Sequence, residues 1–252
     1  MSDVIFFLKA VPTAAIKALP WPRETKFVAL DPGSLGCTGA DRLCSSAYSR
    51  MWQTYGGPNG SFVETMLQRN GISDPERIAF LGFSAAHGLL NPLANNDRDR
   101  SLISAYVLMD ATFGGGKTGY VKFLEDAARG ERLLITPTSN TGGDDGWSAV
   151  WEAAQAATGI APERIAARPP LPEPSGGAYQ LGKLGFYYRF VNASGGSELP
   201  HWEMGKIQTE TVEAYLLPYF QGKLGGFPWK KAAGAAVLTV GLYGAYRIWR
   251  AS

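Results

Sequence analysis

The sequence predicts an α/β fold, a mostly parallel sheet flanked by helices, followed by a C-terminal hydrophobic helix. Continuous apolar runs at Val4–Leu8, Phe27–Leu30, Ile78–Phe83, Ile103–Met109, Leu133–Thr136 and Phe186–Val191 read as strands buried on both faces. Segments of helical spacing stand between them. Strands alternating with helices imply parallel pairing through helical crossovers. The chain has 252 residues, 45% of them hydrophobic, enough for one domain with a sizeable core. Residues 1–221 are expected to form that domain, 222–231 a flexible linker, and 232–249 a transmembrane or membrane-associated helix.

Each element has its own punctuation. Val4–Leu8 is bounded by Lys9 and Pro12, and Thr13–Leu19 is a short helix closed by Pro20-Trp21-Pro22. The strand Phe27–Leu30 ends at Asp31-Pro32-Gly33, after which a Gly/Ser/Cys-rich region runs to about Ser46. Phe62–Arg69 has helical spacing through Phe62, Val63, Met66 and Leu67 and stops at Asn70-Gly71. Asp74-Pro75-Glu76-Arg77 leads into the strand that begins at Ile78. A helix after Ser84 is expected to end at Pro92, and Asn95–Arg100 reads as a charged loop.

The second half repeats the alternation. The strand Ile103–Met109 ends at Asp110, and Tyr120–Ala128 shows a helical face of Val121, Phe123, Leu124 and Ala127, closed by Gly130. Leu133–Thr136 is a strand, and Trp147–Ala157 is a helix capped by Gly159. Pro169–Pro174 reads as extended surface loop, a candidate rim or lid. Phe186–Val191 is the last strand, Glu210–Phe220 the last helix of the domain, and Gly222–Gly226 leads to the tail. No internal repeat is visible.

Composition excludes several classes. Net charge is +2 and charged residues make up 18%, with no basic stripe, so no nucleic-acid partner is expected. Cys37 and Cys44 permit a small disulfide loop, but two free thiols in a reducing cytoplasm are expected. No Cys-x-x-Cys or metal-ligand set is present, and no cofactor is expected. Met1–Val11 lacks the basic and long apolar regions of a signal peptide. The uncharged stretch Ala232–Tyr246 is flanked by Trp229-Lys230-Lys231 and Arg247-Ile248-Trp249-Arg250. It falls short of the ~20 residues of a usual span, but snorkelling Lys231 and Arg247 and interfacial Trp229 and Trp249 extend its reach. Gly234, Gly241 and Ala245 suit close helix packing. The tail is therefore expected to associate with a membrane and leave the domain in the cytoplasm.

In parallel sheets, ligands bind at the carboxyl ends of the strands. The residues there are Lys9, Asp31, Ser84, Asp110, Thr138–Asp145 and His201. Among them Gly82-Phe83-Ser84-Ala85-Ala86 places a serine on a turn built from small residues, strand before and helix after. Such a turn holds the hydroxyl above the sheet edge, where the helix start favours negative charge. A nucleophilic serine needs a base. His87 lies three residues on and is expected to pack or cap, whereas His201 is expected on a loop after the last strand, placed for general-base work. Asp110, Asp144 and Asp145 are the candidate orienting acids, the latter two expected on a loop.

With these residues the chain resembles the α/β-hydrolase superfamily. The elbow Gly82-Phe83-Ser84-Ala85-Ala86 is similar to that family's nucleophile turn, and the order Ser, Asp, His is the family's order. The resemblance spans roughly Val4 to Phe220. It implies Ser84 as nucleophile, His201 as base and an oxyanion hole from the backbone of Ala85 and of a residue near Lys9 or Ala10. It implies Asp144 as acid, or Asp110 where the acid stands one strand earlier. The chain departs from the family at Ala86, where a glycine is usual, and in lacking a His-Gly-Gly run after the first strand. A membrane-tethered esterase or amidase is implied, acting on a small-molecule or cell-envelope acyl substrate.

Two other classes compete. Ala111–Thr118 fits a relaxed phosphate-binding loop, with Lys117 for phosphates and Thr118 for Mg²⁺, though no acidic residue ends the next strand at Thr136-Pro137-Thr138. A hydrolase-like binding or structural module without catalysis is the other.

Overall fold

The computed structural model describes residues 2–8, 13–22, 24–32, 45–111, 118–139, 143–191, 194, 198–199 and 201–224. Its centre is an eight-stranded sheet in the order β2-β1-β3-β4-β5-β8-β7-β6. The strands are β1 (Asp3–Leu8), β2 (Thr25–Leu30), β3 (Arg77–Phe83), β4 (Ala105–Met109), β5 (Leu133–Ser139), β6 (Glu163–Ile165), β7 (Ala178–Leu181) and β8 (Gly185–Phe190). β1 to β5 and β8 pair in parallel, while β7 and β6 add an antiparallel edge. The expected α/β architecture with a mostly parallel sheet is thus present.

The sheet alternates by residue between two cores, as a period of two requires. Val4, Phe6 and Leu8 of β1 face one core with Ile78, Phe80, Tyr106, Leu108 and Leu134. Ile5 and Phe7 face the other with Ala79, Leu81, Val107, Met109 and Ile135. Crossover direction decides which helix covers which face. The steps from β2 to β3, β4, β5 and β8 all move one way, and right-handed crossovers then put their helices on one side. Accordingly α2 (Ser45–Tyr55), α3 (Phe62–Arg69), α4 (His87–Asn95), α6 (Thr118–Arg129) and α7 (Gly143–Thr158) share the first core. The β1-to-β2 step moves the opposite way, and α1 (Thr13–Lys17) packs Ile16 into the second core. The last helical segment closes that second face. It comprises α8 (Gln208–Thr211), a π-helical turn (Val212–Leu216) and α9 (Leu217–Phe220).

Several expectations are corrected. Pro92 does not end the helix after Ser84 but lies inside α4. A proline there cannot donate to the carbonyl of Gly88, and the hydroxyl of Ser49 on α2 donates to that carbonyl at 3.2 Å instead. Asn95–Arg100 is not a loop, because Asn96 caps a further helix, α5 (Asp97–Leu102), its side chain accepting from Asp99 N at 3.0 Å. Asp99 in turn accepts from Ser61 Oγ at 2.6 Å and Val63 N at 3.0 Å, supplying negative charge at the start of α3. Helix α2 and strands β6 and β7 were not foreseen. The last helix begins at Gln208 rather than Glu210.

A buried ion pair fixes the amino end of the sheet. Arg77, first in β3, donates to both carboxylate oxygens of Asp3, first in β1, at 3.0 and 2.7 Å. Its remaining nitrogen donates to Phe220 O at 2.6 Å, and the guanidinium lies 4.5 Å from the centre of the Phe220 ring. The C-terminal helix is thereby tied to strands β1 and β3 at the edge opposite Ser84. Among the described residues no helix is long and apolar enough to cross a membrane. The hydrophobic tail and both cysteines lie outside the described residues.

Candidate active site

Strand order reverses between β1 and β3, and such a switch point opens a crevice at the carboxyl ends of the two strands. Ser84 follows β3 directly at this point. Its φ is +51°, a left-handed conformation that side chains other than glycine seldom adopt. A 3-10 turn over Ser84–Ala86 carries the chain into α4. The turn depends on small residues. A Cβ on Gly82 would stand 2.6 Å from the Cβ of Ala86 and 2.5 Å from Leu90 Cδ1. Gly82 and Ala86 therefore let strand and helix meet closely enough to make the elbow. Ala85 stands at the head of the helical run, where N–H groups lack intrahelical acceptors.

His87 does what its spacing implied. Its Nδ1 lies 3.2 Å from Ser84 O and donates back to the turn. Burial pulls its basicity below the usual histidine range, against the opposing effect of that hydrogen bond.

Phe83 pairs with Met109, so Ser84 and Asp110 are the next residues on neighbouring strands. Asp110 is also left-handed, at φ +46°, and is wholly buried. Among described non-glycine residues only Asp74 shares this conformation, in the turn ahead of β3. Pro137 accounts for the departure of β4 at this point. Asp110 N donates to Pro137 O at 3.0 Å, so the N–H that proline lacks is missing from the β4 side of β5. The next N–H on that side belongs to Ser139. The Asp110 side chain takes it, Oδ1 accepting at 2.6 Å, while Oδ2 accepts from the Ser139 hydroxyl.

The other candidates are placed by their backbone. Asp144 and Asp145 lie in the first turn of α7, not on a loop. His201 opens a 3-10 turn, His201–Ile207, which packs against β5, so it too is not on an irregular loop. In both cases the polar run is helical because the flanking residues supply a buried face, Val150 and Trp151 for α7, and Met204 and Ile207 for the turn. Lys9, Ala10 and the stretch Thr112–Lys117 of the phosphate-loop pattern lie outside the described residues. Asp31 is exposed, and Thr138 donates to Tyr188 O at 3.4 Å, tying β5 to β8. No group of metal-ligating side chains occurs among the described residues. Ser139 falls within the strand-end stretch Thr138–Asp145 but was given no role of its own, since the strand was expected to end at Thr136. The legible signal was Thr136-Pro137-Thr138-Ser139, hydroxyl residues around a proline at the close of a buried run.

No family model matches the chain, and no curated protein or solved structure is detectably similar to it.

Proposed function

We propose that the chain is a serine hydrolase of the α/β-hydrolase kind, cleaving an ester or amide bond. Ser84 is the nucleophile, His201 the general base and Asp110 the acid that orients it. The observation that carries this reading is Ser84 itself, a non-glycine residue held at φ +51° between strand and helix, beside the switch point of the sheet. Strain of that kind costs of the order of 1–3 kcal/mol and persists where surrounding structure imposes it. Asp110 is preferred over Asp144 because it is buried, strained and next to Ser84 in register.

In the reaction, Ser84 Oγ attacks the acyl carbonyl carbon while His201 takes its proton. The backbone N–H groups of Ala85 and Ala10 stabilise the oxyanion. Collapse releases the alcohol or amine with the proton from His201, leaving an acyl-Ser84 ester. Water, deprotonated by His201, then hydrolyses that ester and regenerates Ser84. The substrate is a small-molecule or cell-envelope acyl compound, and the C-terminal tail holds the enzyme to a membrane.

A fluorophosphonate probe tests the reading directly. Wild-type protein is expected to be labelled at Ser84 and to hydrolyse short activated esters. Ser84→Ala is expected to lose both with its melting temperature retained. Unlabelled wild-type protein, or turnover in Ser84→Ala within a few-fold of wild type, rejects it.

A further inference from the structure

We infer that Ser139 is the positioning residue of this site, holding the Asp110 carboxylate in the plane and rotamer that His201 requires. The inference rests on the hydrolase reading above and on Asp110 as its acid. Ser139 gives Asp110 two donors, its N–H to Oδ1 at 2.6 Å and its hydroxyl to Oδ2. One residue thus engages both oxygens, which removes rotation about the carboxylate axis as well as displacement along it. A single donor would leave the rotation free.

Ser139 is itself immobilised. It is wholly buried and is the last residue of β5, in register with Phe190 of β8. Preceding it, Thr136 and Thr138 donate their hydroxyls to Phe186 O and Tyr188 O at 3.1 and 3.4 Å. These bonds fasten the close of β5 to its neighbour. The Asp110 carboxylate is therefore referenced to the sheet, not to a loop. An ionised carboxylate has about four acceptor sites, and Ser139 occupies one on each oxygen. Hydrogen bonds to a charged group are about twice as strong as neutral ones, so loss of the hydroxyl is felt at Asp110 first.

The test is a kinetic series on the full chain, with an activated ester and with active sites counted by the acyl-enzyme burst. Ser139→Ala keeps the backbone donor and loses the hydroxyl. It is expected to lower kcat roughly tenfold to a hundredfold with KM unchanged, at an undiminished count of active sites. Ser139→Thr, which restores a hydroxyl, is expected to recover most of the loss. Should the extra methyl of threonine prevent folding in the buried site, Ser139→Cys, of similar size and a weak donor, is expected to fall between serine and alanine. The decisive measurement places Ser139→Ala in an Asp110→Asn background, where no further loss is expected because the hydroxyl acts only through the carboxylate. Losses that multiply in the double variant, or a Ser139→Ala enzyme of wild-type kcat, overturn the inference. Failure of the hydrolase reading looks different: wild-type protein is then unlabelled by the fluorophosphonate probe, or Ser84→Ala keeps its turnover.

Discussion

Ser84 and Asp110 are left-handed residues that stand side by side, each the first residue past the paired positions Phe83 and Met109 of adjacent parallel strands. Two strained residues at one edge of a sheet carry a conformational cost that the surrounding structure must offset. Their separation in sequence is bridged by α4 and α5, and it is the register of β3 and β4 that brings them together. The carboxylate then folds onto Ser139 of the next strand.

The choice between acids follows from that placement. Asp110→Asn is expected to lower kcat by about four orders of magnitude, the scale expected when a triad histidine loses the carboxylate that sets its tautomer. Asp144→Asn and Asp145→Asn are expected to stay within a few-fold of wild type. Both stand in the first turn of α7, away from the register position that Asp110 shares with Ser84. Steady-state kinetics on the three variants decide it. A large loss confined to Asp144→Asn would transfer the role there.

The elbow gives a steric prediction. Gly82→Ala puts a methyl group 2.6 Å from the Cβ of Ala86, which is fixed to the turn, while Leu90 can swing away. Overpacking of this kind costs about 1–3 kcal/mol, and relief requires Ser84 to move. The expected result is a lower melting temperature together with slower labelling by the fluorophosphonate probe. Ala86→Gly is expected to keep labelling, because it removes volume where the contact is tight. Equal labelling of Gly82→Ala and wild type would show that the turn does not depend on this contact.

The strands of the parallel sheet were legible because burial on both faces leaves a continuous apolar run, as in Val4–Leu8 and Ile103–Met109. The edge was not. Glu163–Ile165 is short and mostly exposed, and Ala178–Leu181 mixes Tyr179 and Gln180 into a hairpin, so neither has a continuous run. Pro92 and the charged run Asp97–Arg100 misled for a shared reason. Their helices are held by groups distant in sequence, the Ser49 hydroxyl for one and, for the other, the Gly57 and Gly60 carbonyls to which the capping Asn96 donates. Of the candidate site, Ser84 and Asp110 were readable as residues following apolar runs. Ser139 was legible only as part of the stretch Thr138–Asp145, because its own part depends on which strand lies beside β4.

The ion pair at the other edge predicts a stability effect without a catalytic one. Arg77→Met leaves Asp3 buried without its counter-charge and removes the guanidinium bonds to Tyr219 O and Phe220 O of the last helix. Removal of one partner from such a pair costs about 3–5 kcal/mol. Urea unfolding is expected to show that loss with an unchanged slope, and kcat of the folded fraction is expected to be unaltered. Asp3→Asn combined with Arg77→Met is expected to recover part of it. A loss below about 1 kcal/mol would mean that the pair is replaced by solvent.

The same ion pair bears on the tail. Arg77 opens β3 and holds Phe220, whereas Ser84 follows the far end of that seven-residue strand. At about 3.3 Å per residue the two points lie on the order of 20 Å apart. The domain therefore hands its chain to the tail at the edge away from Ser84. Full-length protein is expected to pellet with membranes and to need detergent for release, while a truncation at Gly226 is expected to stay soluble. Both forms are expected to hydrolyse a soluble activated ester with the same kcat/KM, because Phe220, the end of the last helix, is held at the edge opposite Ser84. Release of the full-length protein by alkaline carbonate would rule out a spanning tail. A truncation that remains soluble but loses turnover would show that the tail contributes to the site itself.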